Sequence, residues 1–135
     1  MALTMKQISL PAFTITLKSL ARIIDKAIVF TQTKKINESV LLQYRLAPDM
    51  FPFIRQVQIA TDLAKNGLSR LCDVEAIRLE DNETSLVQLK QRIEATIDYI
   101  ESLNFDKINF CLYKENFFFL KKNIIGLYGN HFFRY

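Results

Sequence analysis

The side chains able to do chemistry are few and scattered. A catalytic zinc takes three protein ligands from His, Asp, Glu or Cys and keeps one position open, and this chain has a single histidine, His131. Histidines alone therefore cannot build a metal centre. A carboxylate set would need acids converging inside one packed unit, yet Asp25, Asp62, Glu94 and Asp98 are spaced like the solvated faces of helices. Cys72 and Cys111 are far apart, with no CxxC and no histidine nearby in sequence. That excludes a zinc pattern and a disulfide framework and leaves free thiols in a reducing compartment as the expectation. Cys72 lies near a helix end, but no base accompanies it, so nucleophilic catalysis has no visible partner.

The most informative polar residues are Asp49, Arg55, Gln56, Gln58 and Asp62, which flank a proline-rich turn. On one reading they line a polar pocket or interface at the mouth of the fold. The plainer and favoured reading makes Asp49 the cap of the following helix, with Gln56 and Asp62 supplying hydrogen bonds inside a bundle or dimer.

The elements that must position these groups follow from periodicity. Ser9 is a cap candidate for a helix over about 9–33 whose first turn tolerates Pro11. Phe13, Leu17, Leu20, Ile24, Ala27 and Thr31 form its apolar stripe, widened by Ile23 and Ile28. Asn37 opens a short helix over about 38–44, and Pro48 and Pro52 then impose a kinked connection. Pro52 is suited to the first position of a helix over about 52–71 with the stripe Phe53, Val57, Ala60, Ala64, Leu68 and Leu71. Between Cys72 and Glu83 periodicity lapses into a polar loop, Glu80-Asp81-Asn82-Glu83. Ser85-x-x-Gln88 is a capping-box pattern that starts a helix over about 85–103, striped by Leu86, Leu89, Ile93, Thr96, Ile100 and Leu103 and reinforced by Ile97. Three amphipathic stripes need a fourth partner or a second chain to cover them.

Charge and composition divide the 135 residues in two. The net charge of +4 is mostly a property of residues 106–135, where Lys107, Lys114, Lys121, Lys122 and Arg134 face only Asp106 and Glu115. In the body, bases alternate with acids, unlike the clustered Lys and Arg of a nucleic-acid binder, so nucleic acid is not the expected partner. The tail lacks Ala, Val, Ser, Thr, Gln, Pro and Met and is rich in Phe, Asn, Lys, Ile and Tyr. These are residues of A- and T-rich codons, so one reading of the shift is a displaced reading frame starting near residue 105 to 110. Tyr113, Phe117, Leu120, Ile124 and Leu127 still fall on one helical face, a possible replacement fourth helix ended by Gly126 and Gly129, while Phe118 and Phe119 point off it. The N-terminus has no signal-peptide pattern, and no apolar run reaches the roughly 18 residues of a membrane span. A cytoplasmic location without a membrane partner is expected.

Arg45-Leu46-Ala47-Pro48-Asp49-Met50-Phe51-Pro52, followed by Arg55-Gln56-Val57-Gln58-Ile59-Ala60 and Asp62, resembles the signature of a family catalogued as a domain of unknown function within the DinB-like superfamily. Leu3-Thr4-Met5, Ser9-x-Pro11-x-Phe13 and Glu83-Thr84 with Leu89 fit the same family, and the resemblance extends from residue 1 to about 105. It implies an all-α, up-and-down four-helix bundle that is dimeric. In that superfamily, histidines often hold a divalent metal for hydrolase or thiol-transferase chemistry. With only His131 present, and Asn130-His131-Phe132-Phe133 matching in residue type alone, no metal role is transferred.

The expectation is a DinB-like helical bundle over residues 1–105, followed by an atypical tail over 106–135. It acts as a homodimeric or small-molecule-binding module without catalytic activity. The alternatives are a metal-dependent hydrolase or transferase of the DinB-like kind whose missing ligands lie in the unreadable C-terminus or come from a second subunit, and a basic tail that contacts nucleic acid.

Overall fold

The computed structural model describes residues 4–105. Four helices make up this region, and among the described residues there is no strand: α1 is Met5–Lys34, α2 Glu38–Leu42, α3 Phe53–Leu71 and α4 Leu86–Ser102. The tail features, His131, Cys111, the Tyr113 to Leu127 face and the proposed fourth helix among them, lie outside the described residues.

The first helix starts earlier than Ser9. Thr4 caps it through a reciprocal box in which the Gln7 amide donates to Thr4 Oγ1 at 3.3 Å and the Thr4 amide donates to Gln7 Oε1 at 2.9 Å. The box satisfies two of the amides that a helix start leaves without partners. Pro11 consequently lies inside α1 instead of in its first turn. The helix ends where Lys35 turns left-handed at φ 53 and donates to Gln32 O, while the Ile36 amide reaches Thr31 O at 2.9 Å.

Asn37 caps α2 by accepting from the Ser39 amide at 3.0 Å, and α2 ends two residues before Tyr44. Pro52 is the N-cap of α3 instead of its first helical residue, and no side chain caps this helix. Its Phe53 amide is satisfied by Tyr44 O at 2.9 Å. Asp49 is exposed in the preceding turn and does not cap α3, contrary to the simpler expectation, because backbone already supplies the acceptor.

Ser85 caps α4 by accepting from the Gln88 amide at 3.2 Å. The Gln88 side chain does not complete the box, since its oxygen accepts from the Thr84 amide and hydroxyl instead. Another acceptor comes from far away in sequence: Glu38 Oε2 takes the Leu86 amide at 2.9 Å.

The core is built from the three apolar stripes. Leu17 and Ile24 of α1, Val57, Ala64 and Leu68 of α3, and Leu86, Leu89, Ile93, Ile97 and Ile100 of α4 are buried together. Each fully buried Leu or Ile contributes about 1.5–3 kcal/mol relative to exposure. Ile28 is half-buried as a widening residue, whereas Ile23 faces outward and is 53% exposed.

Helix direction follows from the cross-links. Lys18–Glu101 at 3.6 Å and Asp25–Lys90 at 2.7 Å set α1 antiparallel to α4. Thr61 bonds Arg92 and Ser69 bonds Tyr99, so α3 and α4 run parallel. The all-α bundle holds, but strict up-and-down alternation stops at α3. Residues 72–85 must therefore return the chain along the length of α3 as a crossover, and this carries the acidic loop to the start of α4.

Candidate functional site

Arg92 occupies a position on the apolar stripe of α4, between Leu89 and Thr96, and its side chain is only 2% exposed. A buried guanidinium is stable only if its charge and its five N–H donors all find partners. Here they do. Nε donates to Thr61 Oγ1 at 2.8 Å. Nη1 donates to Glu80 O at 2.9 Å and to Glu83 Oε1 at 2.8 Å. Nη2 donates to Asp62 Oδ1 at 3.1 Å and pairs with Asp81 Oδ1 at 2.9 Å.

Three elements supply these groups. On α3, Arg55, Gln58, Thr61, Asp62 and Lys65 recur at helical spacing along the edge of the Val57–Ala64–Leu68 stripe, so one edge is polar and the adjoining one apolar. The crossover brings Asp81 and Glu83, and α4 brings Arg92. Gln58 Nε2 donates to the other Glu83 oxygen at 2.8 Å, and Lys65 Nζ meets Asp62 Oδ1 at 3.0 Å. Arg55 Nη1 donates to Gln58 Oε1 at 3.3 Å and also pairs with Asp81 Oδ2. Three cations thus face three carboxylates, and the cluster is electrically balanced.

The electrostatics follow this geometry. Burial by itself would raise the Glu83 carboxyl, but the hydrogen bonds from Arg92 and Gln58 and the Arg92 charge outweigh it and hold it below the usual carboxylate range. Burial would lower Arg92, and Glu83, Asp62 and Asp81 together raise it further. Cys72 is buried at the end of α3, and desolvation pushes its thiol up, opposite to what a nucleophile requires.

Of the five residues singled out by sequence, the fold brings Arg55, Gln58 and Asp62 into one cluster. Asp49 and Gln56 stay outside it, with Gln56 Nε2 donating to Phe51 O at 3.0 Å. Asp62 bonds both Arg92 and Lys65, as the reading of it as a hydrogen-bonding residue inside the bundle expects and its spacing on a solvated face does not. Thr61, Lys65, Asp81, Glu83 and Arg92 were not anticipated. Arg92 alone carried a signal, a charge placed on an otherwise apolar stripe.

The described acids do not fit a divalent-metal centre. Asp62, Asp81 and Glu83 converge on a guanidinium that occupies the place of a cation, and among the described residues no three His, Cys, Asp or Glu side chains are grouped to share a metal ion. Nor does any described helix have the length and apolarity to cross a membrane.

The described helices thus form an all-α bundle in which a crossover joins the parallel α3 and α4 and a buried arginine ties them together. The chain belongs to the family described as a domain of unknown function (DUF1993), whose model matches residues 5–134, beyond the point near 105 where the sequence motifs end. It is also similar to the crystal structure of a DinB family member protein from Shewanella denitrificans, at 43% identity with a TM-score of 0.68 over 72% of this chain. The aligned region spans 56% of that protein. No curated protein matches the chain.

Proposed function

We propose that this protein is a non-catalytic, homodimeric helical-bundle module of the cytoplasm, in which the Arg92 cluster is scaffold. The carrying observation is that all five guanidinium donors and the three carboxylates around them are engaged with one another. Groups held in this way position elements and offer little to a substrate or a metal. A free, buried Cys72 accords with a reducing compartment. The exposed Asp49 and Gln56 beside the proline turn are the polar groups left for a small-molecule ligand.

A second reading, a metal-dependent hydrolase or transferase, rests on similarity to a DinB family member and on His131 in the tail. One experiment separates the two. Purified full-length protein is analysed for bound metal and heated with and without zinc, nickel or manganese, and its mass in solution is measured. The module reading expects a metal-free dimer with an unchanged melting temperature. Stoichiometric metal, or a large upward shift with one ion, would establish the second reading.

A further inference from the structure

α1 is apolar on two opposite faces, and only one of them reaches the core. The inner face carries Leu17, Ile24 and Thr31, all buried. The outer face carries Ile8, Ile15, Ile23 and Phe30, exposed by 53%, 66%, 53% and 49%. Isolated exposed apolar residues need no explanation, but a continuous row along a helix marks an association surface.

The row has an internal symmetry. Ile8, Ala12, Ile15, Ser19, Ile23, Lys26 and Phe30 follow one another at spacings of four, three, four, then four, three, four. Successive steps of this kind keep all seven on one helical face, and the sequence of spacings is palindromic about Ser19. A two-fold axis through Ser19 would lay two α1 helices antiparallel, which is the isologous arrangement in which residue i meets j and j meets i. Ile15 then meets Ile23 of the partner subunit, and Ile8 meets Phe30 of the partner subunit. The two serines, small enough for close approach, meet at the axis.

Charge agrees with this pairing. Among the described residues, Lys26 is the charge within the row, Arg22 and Lys34 flank it, and the nearby acid Asp25 is paired with Lys90 of α4. A parallel, in-register pair would set each base against its own copy. In the antiparallel pair Lys26 faces Ala12 of the partner subunit, whose small side chain leaves the ammonium a path to water. Asp25, Lys26, Val29, Phe30, Thr33 and Lys34 line an open depression, and this is where Ile8 of the partner subunit would seat.

We infer that the outer face of α1 is the contact between two copies of this chain, antiparallel and centred on Ser19. The inference rests on the homodimer reading and adds the surface and its geometry. From Ile8 to Phe30 the row is about 33 Å long and about 10 Å wide, so each copy contributes on the order of 400 Å² against about 800 Å² for a standard stable interface. The dimer is therefore a dissociable one.

Sedimentation across a dilution series, combined with cysteine cross-linking of Ser19→Cys, tests this. The expected result is a concentration-dependent monomer–dimer equilibrium, with a disulfide between the two copies at position 19 identified by peptide mass. Ile15→Asp, at an exposed site that leaves the fold intact, should weaken association on the order of a hundredfold or more, because each dimer then buries two carboxylates. Ala12→Glu should tighten it by supplying a partner for Lys26. A dimer indifferent to Ile15→Asp and not cross-linked through Ser19→Cys would overturn the α1 face while leaving the homodimer reading standing. A monomer at every concentration would overturn both, and shielding of the Ser19→Cys thiol in that monomer would assign the face to the chain's own remaining segment.

Discussion

Glu38 Oε2 accepts the Leu86 amide at 2.9 Å, so an acid on α2 caps a helix that begins 48 residues later. The contact does two things at once. It satisfies one of the first amides of α4, and it puts a negative charge at the positive end of the helix dipole. Glu38→Ala removes both effects and should cost about 0.5–2 kcal/mol in urea unfolding. Glu38→Gln keeps an acceptor and should cost less. Equal losses for the two substitutions would show that charge alone matters.

Arg92 should be the most sensitive polar position in the bundle. Arg92→Met leaves Asp62, Asp81 and Glu83 without their common cation, and breaking such a buried pair costs about 3–5 kcal/mol. Arg92→Lys keeps the charge but has three donors where the cluster uses five. The stability order Arg, then Lys, then Met is expected by chemical denaturation, and a lysine variant as stable as the parent would mean that the fork geometry is not used.

Glu83 makes stability depend on pH in the acid range. Its folded carboxyl is held below its unfolded value, despite opposing burial, by Arg92 and Gln58. The unfolded chain therefore takes up the proton first. The contribution is complete above the unfolded value of about 4.3 and is lost as pH falls through the lower folded value. Unfolding free energy measured from neutral pH down to about 3 should fall with this component, and Glu83→Gln should flatten that part of the profile. An unchanged slope in the variant would exclude Glu83 as the source.

Pro11 sits within α1, past its first turn, where it removes a backbone donor and crowds the preceding carbonyl. Pro11→Ala should raise stability by about 1–3 kcal/mol, read as an increased melting temperature. A neutral or destabilising outcome would mean that a bend at this point is needed to fit α1 against α4.

The fold was legible wherever spacing along the chain decided it. Every residue of the α4 stripe, Leu86, Leu89, Ile93, Thr96, Ile100 and Leu103, is buried as its periodicity implies. The start of α1 was missed because Pro11 looks like a first-turn marker, although Thr4-x-x-Gln7 has the same pattern as Ser85-x-x-Gln88. The cluster was half legible. Gln58 and Asp62 stand one turn apart beside an apolar stripe, but Asp81 and Glu83 have the composition of any solvated loop. Only the parallel run of α3 and α4 carries that loop to Arg92, and helix direction is a tertiary choice that local pattern does not encode.

The buried thiol of Cys72 turns the molecule into its own stopwatch. Held as a high-pKa thiol at the end of α3, it reacts with alkylating reagents only when the packing around it parts. The rate at which that one sulfur is labelled, located by mass, is thus the rate or the population of opening at the α3 end. Substitutions in the Arg92 cluster and on the outer face of α1 can be ranked by how far each changes that rate.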